Sequence, residues 1–346
     1  MKLRLSILLL VFICSISCKK ENFKSDVLNT KNKNQISYNL NNWMEDIFTS
    51  RPNVPLNEIA MPGAHDAATY KMTIDSDWGK EVEWYKKLAG KRAAYFWSFT
   101  TEKSIYELLN LGVRNFDIRI EHNDKGYYSY HGQISTKWEE IIGDFKRFFQ
   151  EHPKEICHME FRADQMTDME YEHLLGDLLL QIGKSHVVAS TQGLSPTSTI
   201  GEFWSKGKNL MVSCTRKSSY NDIFALRNWW TAVWTGADNA EGIKQYNYDH
   251  IKTRPNNMLF ANSFTYALSF KVIAHGAVGH PKSLKECSCT PQNNDYGAIN
   301  AQIDEWLPKL EQEAKASGKK INIINLDFPE FGNNTKKIID LNLKQQ

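Results

Sequence analysis

The stretch VRNFDIRI, residues 113–120, decides the fold. It alternates strictly: Phe116, Ile118 and Ile120 share one face, and Asn115, Asp117 and Arg119 share the other. That is a strand with one apolar and one polar face. A helical pattern over residues 101–111 precedes it and stops at Gly112, the usual residue after a helix end. Working outward, residues 126–131 form a second short strand with Tyr127, Ser129 and His131 on one side. Residues 138–150 place Ile141, Ile142, Phe145, Phe148 and Phe149 at helical spacing and end before Pro153. Residues 155–162 alternate again, with His158, Glu160 and Arg162 opposite Cys157, Met159 and Phe161.

The same grammar recurs further on. LMVSCTR (210–216) finishes on Arg216, MLFANS (258–263) finishes on polar residues, and INIINLDF (321–328) turns its face from Ile321 and Ile323 to Asn325 and Asp327. Strands alternating with helices predict a parallel sheet. Charge gathered at the C-terminal ends of successive strands predicts an α/β barrel of the triosephosphate-isomerase type, in one domain, with its site at that rim. A seventh stretch, PGAHDAAT (62–69), follows the apolar run of Ile59, Ala60 and Met61. Pro-Gly is expected to break that strand into a loop and leave His65 and Asp66 uncovered among small neighbours. A turn in which Asp66 bonds the backbone and His65 faces water is the competing reading.

The chain has 346 residues, 41% of them hydrophobic and 12% aromatic, enough for a large core and too apolar for a disordered chain. Its formal charge is +2, so no global field draws it to nucleic acid, and a basic-groove nucleic-acid binder is not expected. Lys2 and Arg4 precede the apolar run 5–16, which is short for a membrane span and ends at Ser17 and Cys18. This resembles a bacterial lipoprotein signal, 1–17, with Cys18 as the lipid anchor; an ordinary secretory signal cut nearby is the alternative. A flexible tether would follow over 18–38, with the catalytic barrel over 39–346, in an exported lipoprotein held at a cell-envelope membrane. Cys157 and Cys214 sit in strand-like runs as small buried hydrophobes. Cys287 and Cys289 are open to a strained disulfide, half of a metal site, or neither. No second Cys/His pair stands at zinc-finger spacing.

The polar set is His65, Asp66, Asp117, Arg119, His131, Glu160, Arg162, Arg216 and Asp327. Two histidines can serve as base and acid in one reaction. Arginines match phosphate geometry and stabilise charge on a transferring phosphoryl group. No Gly-x-Ser-x-Gly elbow is present, and Cys214 points with the apolar side chains, which argues against a covalent hydrolase.

With PGAHDAAT (62–69), LGVRNFDIRI (111–120) and YYSYHG (127–132) in that order, the sequence resembles the bacterial phosphatidylinositol-specific phospholipases C. The resemblance runs from about Trp43 to Asn342, with looser support from HPKEICHMEFR (152–162), LMVSCTR and INIINLDF. It implies a distorted barrel and cleavage of phosphatidylinositol, or of a glycosyl-phosphatidylinositol anchor, to diacylglycerol and inositol 1,2-cyclic phosphate. It makes His65 the general base, Asp327 the carboxylate orienting it, His131 the general acid, Asp66 the partner of His131, and Arg119 the phosphate contact. The same resemblance implies that His65 and Asp66 serve different couples. Where calcium-dependent relatives carry a carboxylate ligand, this strand reads Asp117-Ile118-Arg119, so neither metal nor cofactor is expected.

Two departures follow. Arg162 stands where a lysine usually contacts inositol, and the aspartate and tyrosine contacts fall between Trp234 and Asp249, with Asp238, Tyr246 and Tyr248 as candidates. Further substrate contacts are expected from Asp117, Glu160 and Arg216. Two aromatic clusters, one of Trp78, Trp84, Tyr85, Tyr95, Phe96, Trp97 and Phe99 and one of Trp229, Trp230 and Trp234, are expected to send some members to the rim, at a membrane interface. The protein is expected to act as a monomer. The rival readings are a metal-dependent glycerophosphodiester phosphodiesterase on a related barrel and a non-catalytic, sugar-binding surface lipoprotein.

Overall fold

The computed structural model describes residues 37–82, 87, 90–189, 193–220, 225–226, 229–267 and 269–344. The leader, Cys18, almost all of the tether, Trp84 and Tyr85 lie outside the described residues. The strands are β1 (Met61–Ala64), β2 (Asn115–Asn123), β3 (Gly126–His131), β4 (Gln133–Lys137), β5 (Cys157–Arg162), β6 (Leu210–Cys214), β7 (Ala225–Leu226), β8 (Trp230–Val233), β9 (Leu259–Phe264) and β10 (Ile323–Leu326). Eight of them run in the order β7-β6-β5-β2-β1-β10-β9-β8, every pairing parallel. This is a distorted barrel of the triosephosphate-isomerase type, and among the described residues its ladder is open between β7 and β8. An antiparallel arm, β3 and β4, leaves the wall from the far end of β2.

Helices cover the wall because the outward faces are greasy. Phe116, Ile118 and Ile120 on β2 and Met159 and Phe161 on β5 are fully buried. They meet Ile141, Ile142, Phe145 and Phe148 from the helix Trp138–Glu151. A second core joins β9 and β10 to the helix Ile303–Ala316 around Trp306 and Phe264, whose rings stack at 3.8 Å. A third closes the N-terminal end beneath Met61, Ile323, Leu259 and Met211.

Three readings need adjustment. The helix expected over 101–111 begins at Ile105, because Ser104 and Glu107 form a reciprocal capping box that sets its first turn. Pro62 and Gly63 do not break a strand; both lie inside β1. Met61 and His65 send their N–H groups to Asn322 O and Leu326 O, toward β10 and the residue before it, so the N–H that Pro62 lacks would face β2, where pairing starts only at Gly63. Cys287 and Cys289, like Cys157 and Cys214, are buried free thiols.

The barrel interior is stacked in tiers by register. Gly63 aligns with Asn115 and Asn325, Asn115 with His158, and Asn325 with Ser263. In this tier Asn115 donates to Asn325 Oδ1 at 2.8 Å and accepts from His158 Nδ1 at 2.6 Å. His158 Nε2 in turn accepts from Ser213 Oγ at 2.8 Å. Burial holds His158 far below the usual histidine range, at about 3, so it stays neutral and suits one donor and one acceptor. One tier up stand Asp117 and Glu160, and above them Arg119 and Arg162.

Gly63 is dictated by this tier. A Cβ there would lie 2.0 Å from Asn325 Oδ1 and 3.1 Å from Asn115 Nδ2. Gly63→Ala is therefore expected to cost about 1–3 kcal/mol, the usual range for overpacking a tight interior. Urea unfolding checks this, and an unchanged midpoint would show that the Asn115–Asn325 bridge is not tight against β1.

Candidate active site

The site begins where β1 ends. His65 still pairs with β10 through its N–H to Leu326 O, and the chain then turns at Asp66, whose φ of 43° is left-handed. Aspartate tolerates that region better than most side chains. The turn is stitched from both sides: Ala67 N–H donates to Asp117 O, and Thr100 Oγ1 donates to Asp66 O at 2.8 Å. A matching turn follows β10, where Phe328 has φ 49° and Asn300 Nδ2 donates to Asp327 O at 2.6 Å. Two adjacent strands thus each deliver a buried carboxylate at a fixed kink.

His65 lies between them. Its Nδ1 is 2.8 Å from Asp327 Oδ1, and its Nε2 is 3.1 Å from Asp66 Oδ2 and 3.2 Å from Arg119 Nη2. Asp327 can only accept, so Nδ1 carries a proton. In the neutral ring Nε2 accepts from Arg119; in the cation Nε2–H donates to Asp66. Burial disfavours the cation, but Asp66 and Asp327 outweigh it and push His65 up to about 9.

His131 comes from β3, across the site. Its Nδ1 is 2.9 Å from Ser98 O and 3.2 Å from the same Asp66 Oδ2. A carbonyl cannot donate, so Nδ1 is again the protonated nitrogen, and Nε2 is left to give or take a second proton. The two imidazole rings are 5.9 Å apart. The expected division into two separate couples is therefore only partly seen, because Asp66 reaches both histidines.

Arg119 ties the set together. Nε is 2.6 Å from Asp66 Oδ1 and Nη2 is 3.0 Å from Asp117 Oδ2. Burial disfavours its charge, yet Asp117 and Asp66 more than compensate and raise it. Burial likewise opposes the charge on Asp117, and Arg119, Arg162 and His65 hold its carboxyl well below the usual range. Among the described residues, one histidine–carboxylate group is close enough to surround a cation: His65, Asp66 and Asp117, with ligand atoms within 4.8 Å of one another. The Arg119 guanidinium touches Asp66, Asp117 and His65 itself, so a fixed organic cation already stands among these ligands.

Above the cluster opens a cavity of about 200 Å³. His65, Arg119 and Arg162 form its charged wall, with Trp234, Thr265 and Tyr266 opposite. Trp234 lies 5.0 Å from the His65 ring and 5.7 Å from the Arg162 guanidinium. Trp234 is the member of the second aromatic cluster that reaches the site, while Trp229 and Trp230 are buried. From the first cluster, Trp97 is buried and Phe96 and Phe99 pack against the second core.

Four expected contacts lie elsewhere. Arg216 donates to Ala163 O and Met166 O, pairs with Asp168 and covers Tyr171, one strand away from the cavity. Tyr246 stacks on His250, and Tyr248 is buried in the second core, both on the helix Ala240–Ile251. Asp238 accepts from Ser269 Oγ at 3.0 Å and does not line the cavity. Helical spacing could have warned of this, since 246 and 248 fall on different sides of one amphipathic helix. Asp117 and Glu160 are buried beneath the arginines rather than facing the cavity. Sequence reasoning passed over Ser98, whose carbonyl fixes the His131 tautomer, because a backbone acceptor leaves no side-chain signal.

The barrel and this cluster define a class: parallel α/β barrels with a histidine, aspartate and arginine site at the C-terminal rim. No family model matches the chain. It is 23% identical over 321 residues to mouse PI-PLC X domain-containing protein 2, covering 87% of each chain. To human PI-PLC X domain-containing protein 1 it is 24% identical over 328 residues, covering 87% of this chain and 92% of that one. Among solved structures, the phosphatidylinositol-specific phospholipase C from Listeria monocytogenes superposes with a TM-score of 0.57 at 17% identity, covering 88% of this chain and 99% of that one. One from Staphylococcus aureus gives 0.58 at 16%, covering 89% and 98%. The fold of this chain is therefore that of these bacterial enzymes.

The His65 cage has a pH signature. The pKa is raised in the folded protein, so the cage stabilises the fold fully below about pH 6.5, the ordinary histidine value, and that stability is lost as pH rises through about 9. Asp327→Asn removes one source of the shift and is expected to lower the His65 pKa toward the ordinary value. Titration of the imidazole resonances by NMR measures it; a pKa that stays put would show that Asp327 does not set the charge of His65.

Proposed function

We propose that the protein is a phosphatidylinositol-cleaving phosphodiesterase, a phosphatidylinositol diacylglycerol-lyase working by general acid and base catalysis. The observation that carries the reading is the Asp327–His65–Arg119–Asp66–His131 chain. It sets two histidines 5.9 Å apart around one guanidinium, at the mouth of a cavity. The fold shared with the bacterial enzymes and the similarity to the PI-PLC X domain-containing proteins support the substrate class.

In this reading the neutral form of His65, the minority form below about pH 9, takes the proton of the inositol 2-hydroxyl at Nε2, and the oxygen attacks phosphorus. Asp327 holds the ring through Nδ1 and stabilises the imidazolium that forms. Arg119 accepts the charge that builds on the phosphoryl oxygens. His131 delivers a proton from Nε2 to the departing diacylglycerol oxygen, with Asp66 beside its Nδ1. The products are diacylglycerol and inositol 1,2-cyclic phosphate. Free phosphatidylinositol and glycosylated anchors share the bond that breaks. No step calls for a metal, because Arg119 supplies the positive charge.

The exported, lipid-anchored state read from Cys18 completes the proposal, since it would hold the barrel at a membrane. Cys18→Ala is expected to stop incorporation of fatty-acid analogues, and equal labelling of the two forms would remove the anchor.

The division of labour is tested by changing the leaving group. Proton transfer by a positioned side chain is typically worth roughly 10²–10⁴-fold. His131→Ala is expected to lose activity on that scale with phosphatidylinositol and far less with an inositol nitrophenyl phosphate, whose leaving group needs no proton. His65→Ala is expected to lose it on both. Equal losses of kcat/KM for both variants on both substrates would sink the assignment. The assays are run in excess EDTA. A strict calcium requirement would favour the metal-dependent phosphodiesterase, and no turnover of any phosphodiester would favour the sugar-binding lipoprotein.

A further inference from the structure

Arg162 is placed in a way that an inositol contact does not explain. It stands in register with Arg119 on the neighbouring parallel strand, so the two Cα atoms are separated by about 4.8 Å, the normal strand spacing. Both side chains line the same cavity beside His65. Each spends its inner nitrogens on a buried carboxylate. Arg119 uses Nε on Asp66 and Nη2 on Asp117, and Arg162 uses Nε at 2.6 Å and Nη2 at 2.5 Å on a single oxygen of Glu160. Among the described residues, Nη1 of either arginine has no hydrogen-bond partner. Two forks are thus braced from below and keep one donor each at the cavity.

We propose that Arg119 and Arg162 form a clamp in which each guanidinium holds one of the two non-bridging oxygens of the substrate's phosphodiester. The proposal rests on the phosphodiesterase reading above and moves Arg162 from the inositol ring to the phosphorus. The geometry suits a tetrahedral anion, whose non-bridging oxygens diverge toward neighbouring strands, and fixed guanidiniums match it better than ammonium groups do. Glu160 is a weak rival for Arg162. Burial, with the Asp117 charge beside it, pushes the Glu160 carboxyl up, and its second oxygen has no partner. Trp234 confines Arg162 from the cavity side at 5.7 Å and lies against His65, so base and clamp share one wall.

Two measurements test the clamp. The first is calorimetric binding of inorganic phosphate to the full chain, which needs no turnover. Arg162→Gln is expected to weaken it at least 10-fold and Arg162→Lys to restore only part of the loss. Phosphate bound equally by wild type and Arg162→Gln overturns the clamp, whatever the enzyme's activity. The second uses the two phosphorothioate diastereomers of phosphatidylinositol. Removing one oxyanion donor typically costs about 10²–10³-fold. Arg162→Gln should show that loss with the oxygen substrate, and its oxygen-to-sulfur rate ratio should collapse for one diastereomer only. Ratios left unchanged for both diastereomers would return Arg162 to a supporting role. A wild type that binds phosphate through Arg162 yet leaves phosphatidylinositol intact would defeat the activity reading and keep the clamp. Where Arg162→Gln melts early, Arg162→Lys is read in its place by the same two criteria.

Discussion

Everything at the rim depends on the contact between the Arg119 guanidinium and the Asp66 carboxylate, 2.6 Å apart and shielded from water. Without Arg119, Asp66 and Asp117 would be two buried anions on adjoining strands, a costly arrangement. Without Asp66, the two histidines would lose the oxygen that both approach. The pairing also explains the kink at Asp66. A left-handed aspartate turns its carboxylate back over the barrel mouth, where an extended chain would send it outward. Backbone strain of this kind costs of order 1–3 kcal/mol and is held in place by surrounding bonds, here from Ala67 and Thr100.

The tiers beneath the rim explain how so much charge is tolerated. At the bottom the interior is aliphatic, around Met61, Ile323 and Leu259. In the middle it is neutral and polar, with Asn115, Asn325, His158 and Ser213 joined in one chain of hydrogen bonds. Above that the inward-facing residues of β2 and β5 become carboxylates and guanidiniums that face each other. His158 shows the logic most directly. It lies one tier below a group of ionised residues, and burial keeps it uncharged while His65 above is driven the other way.

The barrel was legible because its signal is periodic. Alternation in VRNFDIRI and in residues 155–162 gave the correct inward faces, and charge at strand ends gave the correct rim. His65, Asp66, Arg119, His131 and Asp327, each named by its motif, lie together in one cluster. Arg216 misled because a charge at a strand end is shared by residues that enter the mouth and residues that brace the next loop, and Arg216 does the latter. Tyr246 and Tyr248 misled because they were chosen by chemical type within a window, without asking which helix face each would occupy. Ser98 could not be found at all, since its contribution is a carbonyl from a segment far away in sequence.

One asymmetry has a mechanical meaning. His65 belongs to the wall, held by pairing on β10, whereas His131 sits on the arm formed by β3 and β4. That arm is moored sideways: Gly132 bonds Gly79 and Glu81, and Gln133 bonds Ser76. The two histidines therefore ride on different elements, His65 as stiff as the barrel wall and His131 only as stiff as the moorings of the arm. The segment from Ser76 to Glu81 acts as the set-screw for their separation. Changes there would move His131 without disturbing His65, which makes a surface loop part of the instrument.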